Sequence, residues 1–203
     1  MITDAYFDSF STKKYRAKNP LKRMFIRRFV GRIEQLIAAA GPCQSVLEIG
    51  CGEGFLLGHL SRTFPDKSFS GVDLNEHDLE LLREHFGDLD VRAANVYDLS
   101  GLPGGYDLVI CAEVLEHLDQ PVRGLEQIAS LGAKRVILTV PHEPWFMLSN
   151  LLVGKNVARF GDDIEHVNHF RPRSFRRLIE SHFEVLDLTT SYPWILTLNG
   201  PRQ

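Results

Sequence analysis

Residues 46–54 read VLEIGCGEG. Ser45–Ile49 is a short apolar run of strand type with one acid, Glu48, inside it, and Phe55–Phe64 follows with Phe55, Leu56, Leu57 and Leu60 at helical spacing. Between them lies the turn Gly50-Cys51-Gly52-Glu53-Gly54. A glycine-rich turn at this place lets backbone approach a ligand closely, and the helix after it aims free N–H groups at the same point. Two common uses of such a turn are missing. A dinucleotide fingerprint needs glycine at the position of Phe55, and a phosphate-cradling loop needs Lys followed by Ser or Thr. Instead Glu48 stands two residues before the turn, where a carboxylate suits a cationic amino-acid moiety.

Working outward, the chain alternates strand and helix. Ser68–Leu74 is a second strand ending in an acid, Glu76–Phe86 a helix with Leu79, Leu82 and Phe86 on one side, and Leu89–Ala94 a third strand. Tyr106–Ala112 and Arg135–Val140 are nearly continuous in apolar residues, as buried parallel strands are, and Pro121–Leu131 supplies the helix between them. A helix over Pro172–Ser181 precedes Glu184–Thr190 and Trp194–Leu198, whose link, Ser191–Pro193, is too short for a crossover helix, so these two strands pair antiparallel. The pattern predicts a doubly wound, mostly parallel seven-stranded α/β sheet with an antiparallel C-terminal strand and ligand sites at the carboxyl ends of its strands. Ahead of it, Pro20–Ala40 reads as a cationic amphipathic helix with Leu21, Met24, Phe25, Phe29, Ile33, Leu36 and Ile37 on its apolar stripe.

The 203 residues suffice for one α/β domain with a modest extension. No apolar run approaches the roughly 20 residues that span a bilayer. MITDAYFDSF lacks the basic-then-apolar order of a secretory leader, and three cysteines without CxxC spacing fit reduced thiols, so a cytoplasmic location is expected. The net charge of −3 conceals an asymmetry: residues 13–32 carry nine Lys or Arg and no acid, leaving −12 on the remainder. A cationic segment on an acidic body fits an anionic partner and equally a solvated helix face.

The ordered motifs resemble class I S-adenosylmethionine-dependent methyltransferases of the small-molecule branch, from Ser45 to about Val185. The resemblance implies a Rossmann-like methyltransferase fold that binds S-adenosyl-L-methionine and releases S-adenosyl-L-homocysteine. VLEIGCGEG matches the family's first motif, which places Glu48, Gly50, Cys51, Gly52 and Gly54 at the cofactor. Asp73 in GVDLN holds the position of the acid that binds both ribose hydroxyls, with Leu74 against the adenine ring. After the third strand the family usually has an acid facing the adenine amino group; here Asn95 and Val96 occupy AANVYDL, and the asparagine carbonyl accepts the same hydrogen bond without charge. YDLVICAEVLEHL matches the next motif, with backbone at Cys111 and Ala112 meeting the methionyl end. Residues 1–40 then form an N-terminal lid, carrying Tyr6, Phe7 and Tyr15, plus the cationic helix. Residues 41–203 form the methyltransferase domain, with a substrate-covering insertion at about 142–172.

Methyl transfer from a sulfonium is an in-line displacement, so the protein aligns nucleophile, methyl and sulfur and takes a proton when the acceptor is a hydroxyl. His142, His166 and His117 lie near the ends of the fourth and fifth strands, and a histidine pKa of about 6.5 suits that task. Glu116-His117 is shared by family members with unrelated acceptors, so His117 fits a positioning role as well. The leading reading is O-methylation of an apolar or anionic small molecule with no resident metal. In an alternative, Glu113, Glu116, His117 and His166, with His169 nearby, converge on a divalent metal, similar to the small-RNA 3′-terminal 2′-O-methyltransferases, and Arg171, Arg173, Arg176 and Arg177 meet phosphates. FRPRSFRRLI after His169 resembles the small-molecule branch instead, which disfavours nucleic acid. A third reading is a non-catalytic cofactor-binding partner protein. Trp145, Phe146, Met147, Leu148, Leu151 and Leu152 line an acceptor pocket or form one more buried helix face. With the cationic helix they also fit a peripheral membrane contact.

Overall fold

The apolar runs become strands and the periodic runs helices, nearly residue for residue. The computed structural model describes residues 2–11, 18–152, 160, 163 and 166–202. The strands are β1 (Ser45–Ile49), β2 (Ser68–Asp73), β3 (Asp90–Ala93), β4 (Leu108–Ala112), β5 (Arg135–Pro141), β6 (Phe183–Ser191) and β7 (Trp194–Pro201). They form one sheet in the order β3-β2-β1-β4-β5-β7-β6. The first five run parallel, and β7 lies antiparallel between β5 and β6. The helices are α1 (Asp4–Asp8), α2 (Pro20–Ala39), α3 (Phe55–Thr63), α4 (Glu76–His85), α5 (Pro121–Ser130), α6 (Trp145–Leu152) and α7 (Pro172–Ile179). This is the doubly wound, Rossmann-like sheet that the sequence pattern predicts, with β7 as its antiparallel strand.

Side chains alternate across each strand and so sort the core into two layers. Val46, Leu108 and Ile110 face a cluster with α1, α2, α3 and α4. Leu47, Val109 and Cys111 face the opposite cluster, with α5 and α7. Helix starts follow local chemistry: Asn19 caps α2 by accepting from the Leu21 N–H at 2.9 Å, with Pro20 in the first turn, and Asn75 caps α4 by accepting from the His77 N–H at 3.1 Å.

The face that α2 buries differs from the expected stripe. Phe29, Ile33, Leu36 and Ile37 are buried as expected, but Leu21 and Met24 are exposed and Ile26 and Val30 take their place. Arg23 shares this face. It is buried on that face, its guanidinium pairs with Asp4 and Asp8 of α1, and it lies 5.1 Å from the Phe7 ring centroid. Arg27 pairs with Asp4 and donates to the Ile2 carbonyl at 2.9 Å, while Arg32 donates to Thr189 Oγ1 at 2.7 Å. Arg23, Arg27 and Arg32 of the cationic segment are thus engaged within the chain; Lys13, Lys14, Tyr15 and Arg16 lie outside the described residues. Of the two readings of 145–152, a pocket lining or a buried helix face, the second holds only in part: Phe146, Met147 and Leu151 are half-buried. α6 forms, but Trp145, Leu148 and Leu152 are exposed and the residue it buries is Asn150.

At the end of the sheet remote from the glycine turn, Asp107 clamps three strands. Its Oδ2 accepts from the Gln44 N–H at 2.8 Å and the Ser45 N–H at 3.1 Å at the start of β1, and its Oδ1 pairs with Lys134 Nζ at 2.7 Å just ahead of β5. The Lys134 ammonium first, then those two N–H groups, hold the carboxyl well below the ordinary aspartate value of 3.8. A depressed folded pKa contributes stability that is present above the unfolded value and is lost as pH falls through the folded one. Asp107→Asn should therefore melt at a lower temperature than the parent at pH 7, and the difference should shrink as pH is lowered below about 3.8. Thermal melts from pH 7 to pH 2.5 measure this; a difference independent of pH would refute the charged clamp.

Candidate functional site

The turn after β1 adopts its shape because Gly50, Gly52 and Gly54 take φ of 78°, 51° and 83°, angles that L side chains resist. Gly50 and Cys51 donate their N–H groups to the Val72 carbonyl at 2.8 and 3.1 Å, and Gly52 donates to Asp73 Oδ2 at 2.8 Å. The turn is thus stapled to the end of β2. A pocket opens beside it at the carboxyl ends of β1 and β4. Glu48, Gly50, Cys51, Gly52 and Glu53 line one side, and Ala112, Glu113 and Trp194 another. Phe55 and Leu56 of α3, Asp78 of α4 and Ile26, Phe29 and Val30 of α2 complete it. The Glu48 carboxylate is buried, and a buried carboxylate lining a cavity favours a cationic guest.

α1 packs over this region. Tyr6 Oη donates to the Phe55 carbonyl at 2.8 Å, and Ser11 donates to both carboxylate oxygens of Glu53, from its N–H at 2.8 Å and its hydroxyl at 2.6 Å. Phe7 is fully buried and Phe10 packs edge-on against Phe55 with centroids 5.1 Å apart. Burial in the acidic neighbourhood of Asp73 and Glu53 raises the Asp78 carboxyl, desolvation being the larger cause. Desolvation also pushes the Cys51 and Cys111 thiols far up, so neither is a thiolate at neutral pH.

Several expected cofactor residues stand beside the cavity rather than on its wall. Asp73 Oδ1 accepts from the Asn75 N–H at 2.8 Å, so each of its oxygens already holds one backbone donor. Leu74 is 72% exposed at the rim. The Asn95 Oδ1 accepts from the Tyr97 N–H at 3.0 Å in a tight local turn, Val96 packs with the far core cluster, and the Cys111 side chain points into that cluster too. Glu53, Asp78 and Trp194 were not singled out from the sequence. Glu53 sits inside the quoted turn and was open to notice; Trp194 carries no local signal.

On the acceptor side the structure brings together three of the four residues named for a metal. Ligand atoms of Glu116, His117 and His166 lie within 4.8 Å of one another, with Glu116 fully buried. The single 3-10 turn Leu115–His117 presents the first two. The third arrives because the Glu116 carbonyl accepts from the Val167 N–H at 2.9 Å and the Asn168 N–H at 3.0 Å, and Asn168 Nδ2 donates to the Leu118 carbonyl at 2.6 Å. The His117 and His166 rings are 5.1 Å apart, Phe146 is 5.1 Å from His166, and Trp194 is 6.5 Å from Phe146 and 4.7 Å from Phe29. Glu113 stays outside the trio. Its Oε2 accepts from Trp194 Nε1 at 2.7 Å, and its φ is 61°, a left-handed conformation costing of order 1–3 kcal/mol. His169 is exposed and not part of the trio. His142 is half-buried, with its pKa lowered by desolvation. His59 is buried against Glu34 at 2.6 Å and His77 is exposed, both remote from the pocket lining.

A sequence family described as a methyltransferase domain matches residues 47–136, the stretch from β1 to the start of β5. Residues 47–136 are thus a methyltransferase domain. The chain is 32% identical over 155 residues to a ubiquinone biosynthesis O-methyltransferase of Bordetella parapertussis, covering 72% of this chain and 60% of that protein. The mitochondrial ubiquinone biosynthesis O-methyltransferase of Saccharomyces cerevisiae is 29% identical over 129 residues, 58% of this chain and 40% of that one. The chain therefore matches about half of the length of these curated relatives. In fold, the chain is similar to magnesium protoporphyrin IX methyltransferase from Synechocystis PCC 6803 with bound S-adenosylhomocysteine, at a TM-score of 0.72 and 17% identity over 98% of this chain and 94% of that one. It also resembles the methyltransferase domain of a bacterial Hen1 protein, at a TM-score of 0.70 and 16% identity over 87% and 99% of the two chains.

The Trp194–Glu113 bond links β7 to the exit of β4, and it is testable. In a double-mutant cycle of Trp194→Phe and Glu113→Gln, thermal or denaturant unfolding should give a coupling energy of about 1.5–3 kcal/mol, the range for a bond to a charged acceptor. Additive effects would show that the bond contributes nothing.

Proposed function

We propose that the chain transfers a methyl group from S-adenosylmethionine to a hydroxyl oxygen of a small, largely apolar acceptor. One observation carries this reading: a pocket headed by a glycine turn and the buried Glu48 carboxylate borders Glu113 and Trp194, whose neighbour Phe146 leads to His166 and His117. The methionyl ammonium and sulfonium need a negative, dry wall, and Glu48 supplies it. Asp73 takes the ribose hydroxyls; a carboxylate has about four acceptor sites, so two remain beside its backbone donors. Gly50, Cys51, Gly52, Gly54 and Ala112 let backbone close on the methionyl end near Cys111. Leu74, Asn95 and Val96 form the adenine rim, with Asn95 using its second carbonyl lone pair. The described residues of 1–40 cover the donor and those of 142–172 the acceptor; 1, 12–17, 153–159, 161–162 and 164–165 in these ranges lie outside the described residues. The aromatic rings of Phe29, Phe146 and Trp194 suit a planar acceptor, in keeping with the O-methyltransferase relatives.

Calorimetric titration with S-adenosylmethionine or S-adenosylhomocysteine should show one site. Glu48→Gln should weaken S-adenosylmethionine about 10- to 100-fold, equivalent to roughly 1.5–3 kcal/mol. No heat with either ligand in the parent protein would end the proposal.

Proton removal falls to His142, with His166 and His117 as the other candidates. Desolvation lowers the His142 pKa below 6.5, so the ring is neutral, and able to accept a proton, throughout the neutral range. The profile of kcat/KM should be flat near pH 7 and decline only below 6.5, and His142→Asn should abolish that limb along with most of the rate. An unchanged limb in this variant would move the role to His166 or His117.

A second reading is favoured by the trio of Glu116, His117 and His166. Two imidazoles and a carboxylate suit a divalent transition metal, which would lower the pKa of an acceptor hydroxyl bound to it. Activity lost on exhaustive chelation and restored by a divalent ion would support it; activity indifferent to chelation would eliminate it.

A further inference from the structure

We infer that the apolar surface formed by the start of α2, by α6 and by the β6–β7 turn docks onto an anionic phospholipid bilayer. Leu21 and Met24 are 46% and 41% exposed on α2, and Trp145, Leu148 and Leu152 are 46%, 41% and 72% exposed on α6. The spacing of the last three, i, i+3 and i+7, puts them on one stripe of that helix. The two stripes join through Tyr192: its ring meets Phe25 with centroids 5.1 Å apart, and its hydroxyl accepts from Ser149 Oγ at 2.9 Å and donates to the Trp145 carbonyl at 3.4 Å. Isolated exposed apolar side chains are ordinary; a connected set of this kind marks a contact surface.

Charge selects the occupant. Lys18 and Arg28 are exposed, and Lys22 half-buried, along the stretch that carries Leu21 and Met24, within a segment of nine cations and no acid. The rest of the chain sums to −12, so an anionic membrane attracts this segment more than the remainder of the molecule taken together, which favours this edge in the contact. Tryptophan and tyrosine beside lysine and arginine form the combination that seats at a headgroup boundary. Among the described residues no helix is long and apolar enough to cross a membrane, so the contact is peripheral. The face adjoins the acceptor side through Phe146, the neighbour of Trp145 that packs near Trp194 and His166. The use of the contact, delivery of an apolar acceptor, rests on the function proposed above; the contact itself does not, and it is measured without turnover.

The test is sedimentation of the full chain with vesicles of phosphatidylcholine alone and of phosphatidylcholine with one-third phosphatidylglycerol, at low and high salt. Binding is expected only to the anionic vesicles and should weaken in high salt. Met24→Glu and Leu148→Glu should each cost about tenfold or more in vesicle affinity. Both positions are exposed, and unchanged S-adenosylhomocysteine binding certifies that each variant is folded. Absence of binding to anionic vesicles at low salt, or variants that bind as the parent does, would overturn the inference. So would a concentration-dependent dimer dissolved by the same substitutions, which would assign the face to a second copy of the chain.

Discussion

Four elements meet at the turn between β1 and α3, and they meet there because two of its residues, Gly50 and Gly54, have no side chain. A Cβ on Gly50 would lie 2.3 Å from Val114 Cγ2, just past the end of β4, and one on Gly54 would lie 2.7 Å from Leu82 Cγ of α4. Both residues also have positive φ, so a substitution there meets backbone strain as well as a clash. The turn's N–H groups are held by Val72 and Asp73 of β2. The close packing of glycine against neighbours therefore sets the position of α3, of the exit of β4 and of the pocket between them. α1 inherits the same dependence, since Tyr6 and Ser11 bond to Phe55 and Glu53.

Stability and strain are separated along the strands. The end marked by Asp107 is tied by one carboxylate to backbone at the start of β1 and to the lysine just ahead of β5. The opposite end holds the left-handed Glu113, three left-handed glycines and buried acids. A sheet anchored firmly at one end can carry energetically costly conformations at the other, where a ligand gains from groups that need not reorganise.

The fold was almost wholly legible because its signals are local. Buried parallel strands need continuous apolar runs, and Leu108–Ala112 and Arg135–Pro141 supply them; the Ser191–Pro193 link permits nothing but a hairpin. The face of α2 was misread because Arg23 counts as polar in any periodicity. Its burial depends on Asp4 and Asp8, more than ten residues earlier, and on the Phe7 ring. The apolar run on α6 allowed either a pocket lining or a buried face, and periodicity could not tell which of its residues would be covered: Trp145, Leu148 and Leu152 are exposed while Asn150 is buried. In the site, the glycine turn and Glu48 were legible. The Trp194–Glu113 bond, between residues 81 positions apart, was not. Nor was the way Asn168 brings His166 to His117, since it works through carbonyl groups that sequence does not distinguish.

This difference between the two halves of the site has a physical consequence for specificity. The donor half is built from backbone whose conformation admits few side chains, so its chemistry is narrow. The acceptor half is attached differently. Val167 and Asn168 bond through their own N–H groups to the Glu116 carbonyl, an attachment that most residues at 166 or 167 would preserve. Phe146 and Trp145 ride on a helix that buries only Asn150 and is tied to the rest of the chain by Tyr192 and by packing of Phe146 against Trp194. Side chains on this half can change without dismantling the turn or the sheet. On the function proposed above, a fixed methyl donor site would thus serve acceptors of different shape, and the rings of Phe146, His166 and Trp194, rather than the motif that defines the fold, would select among them.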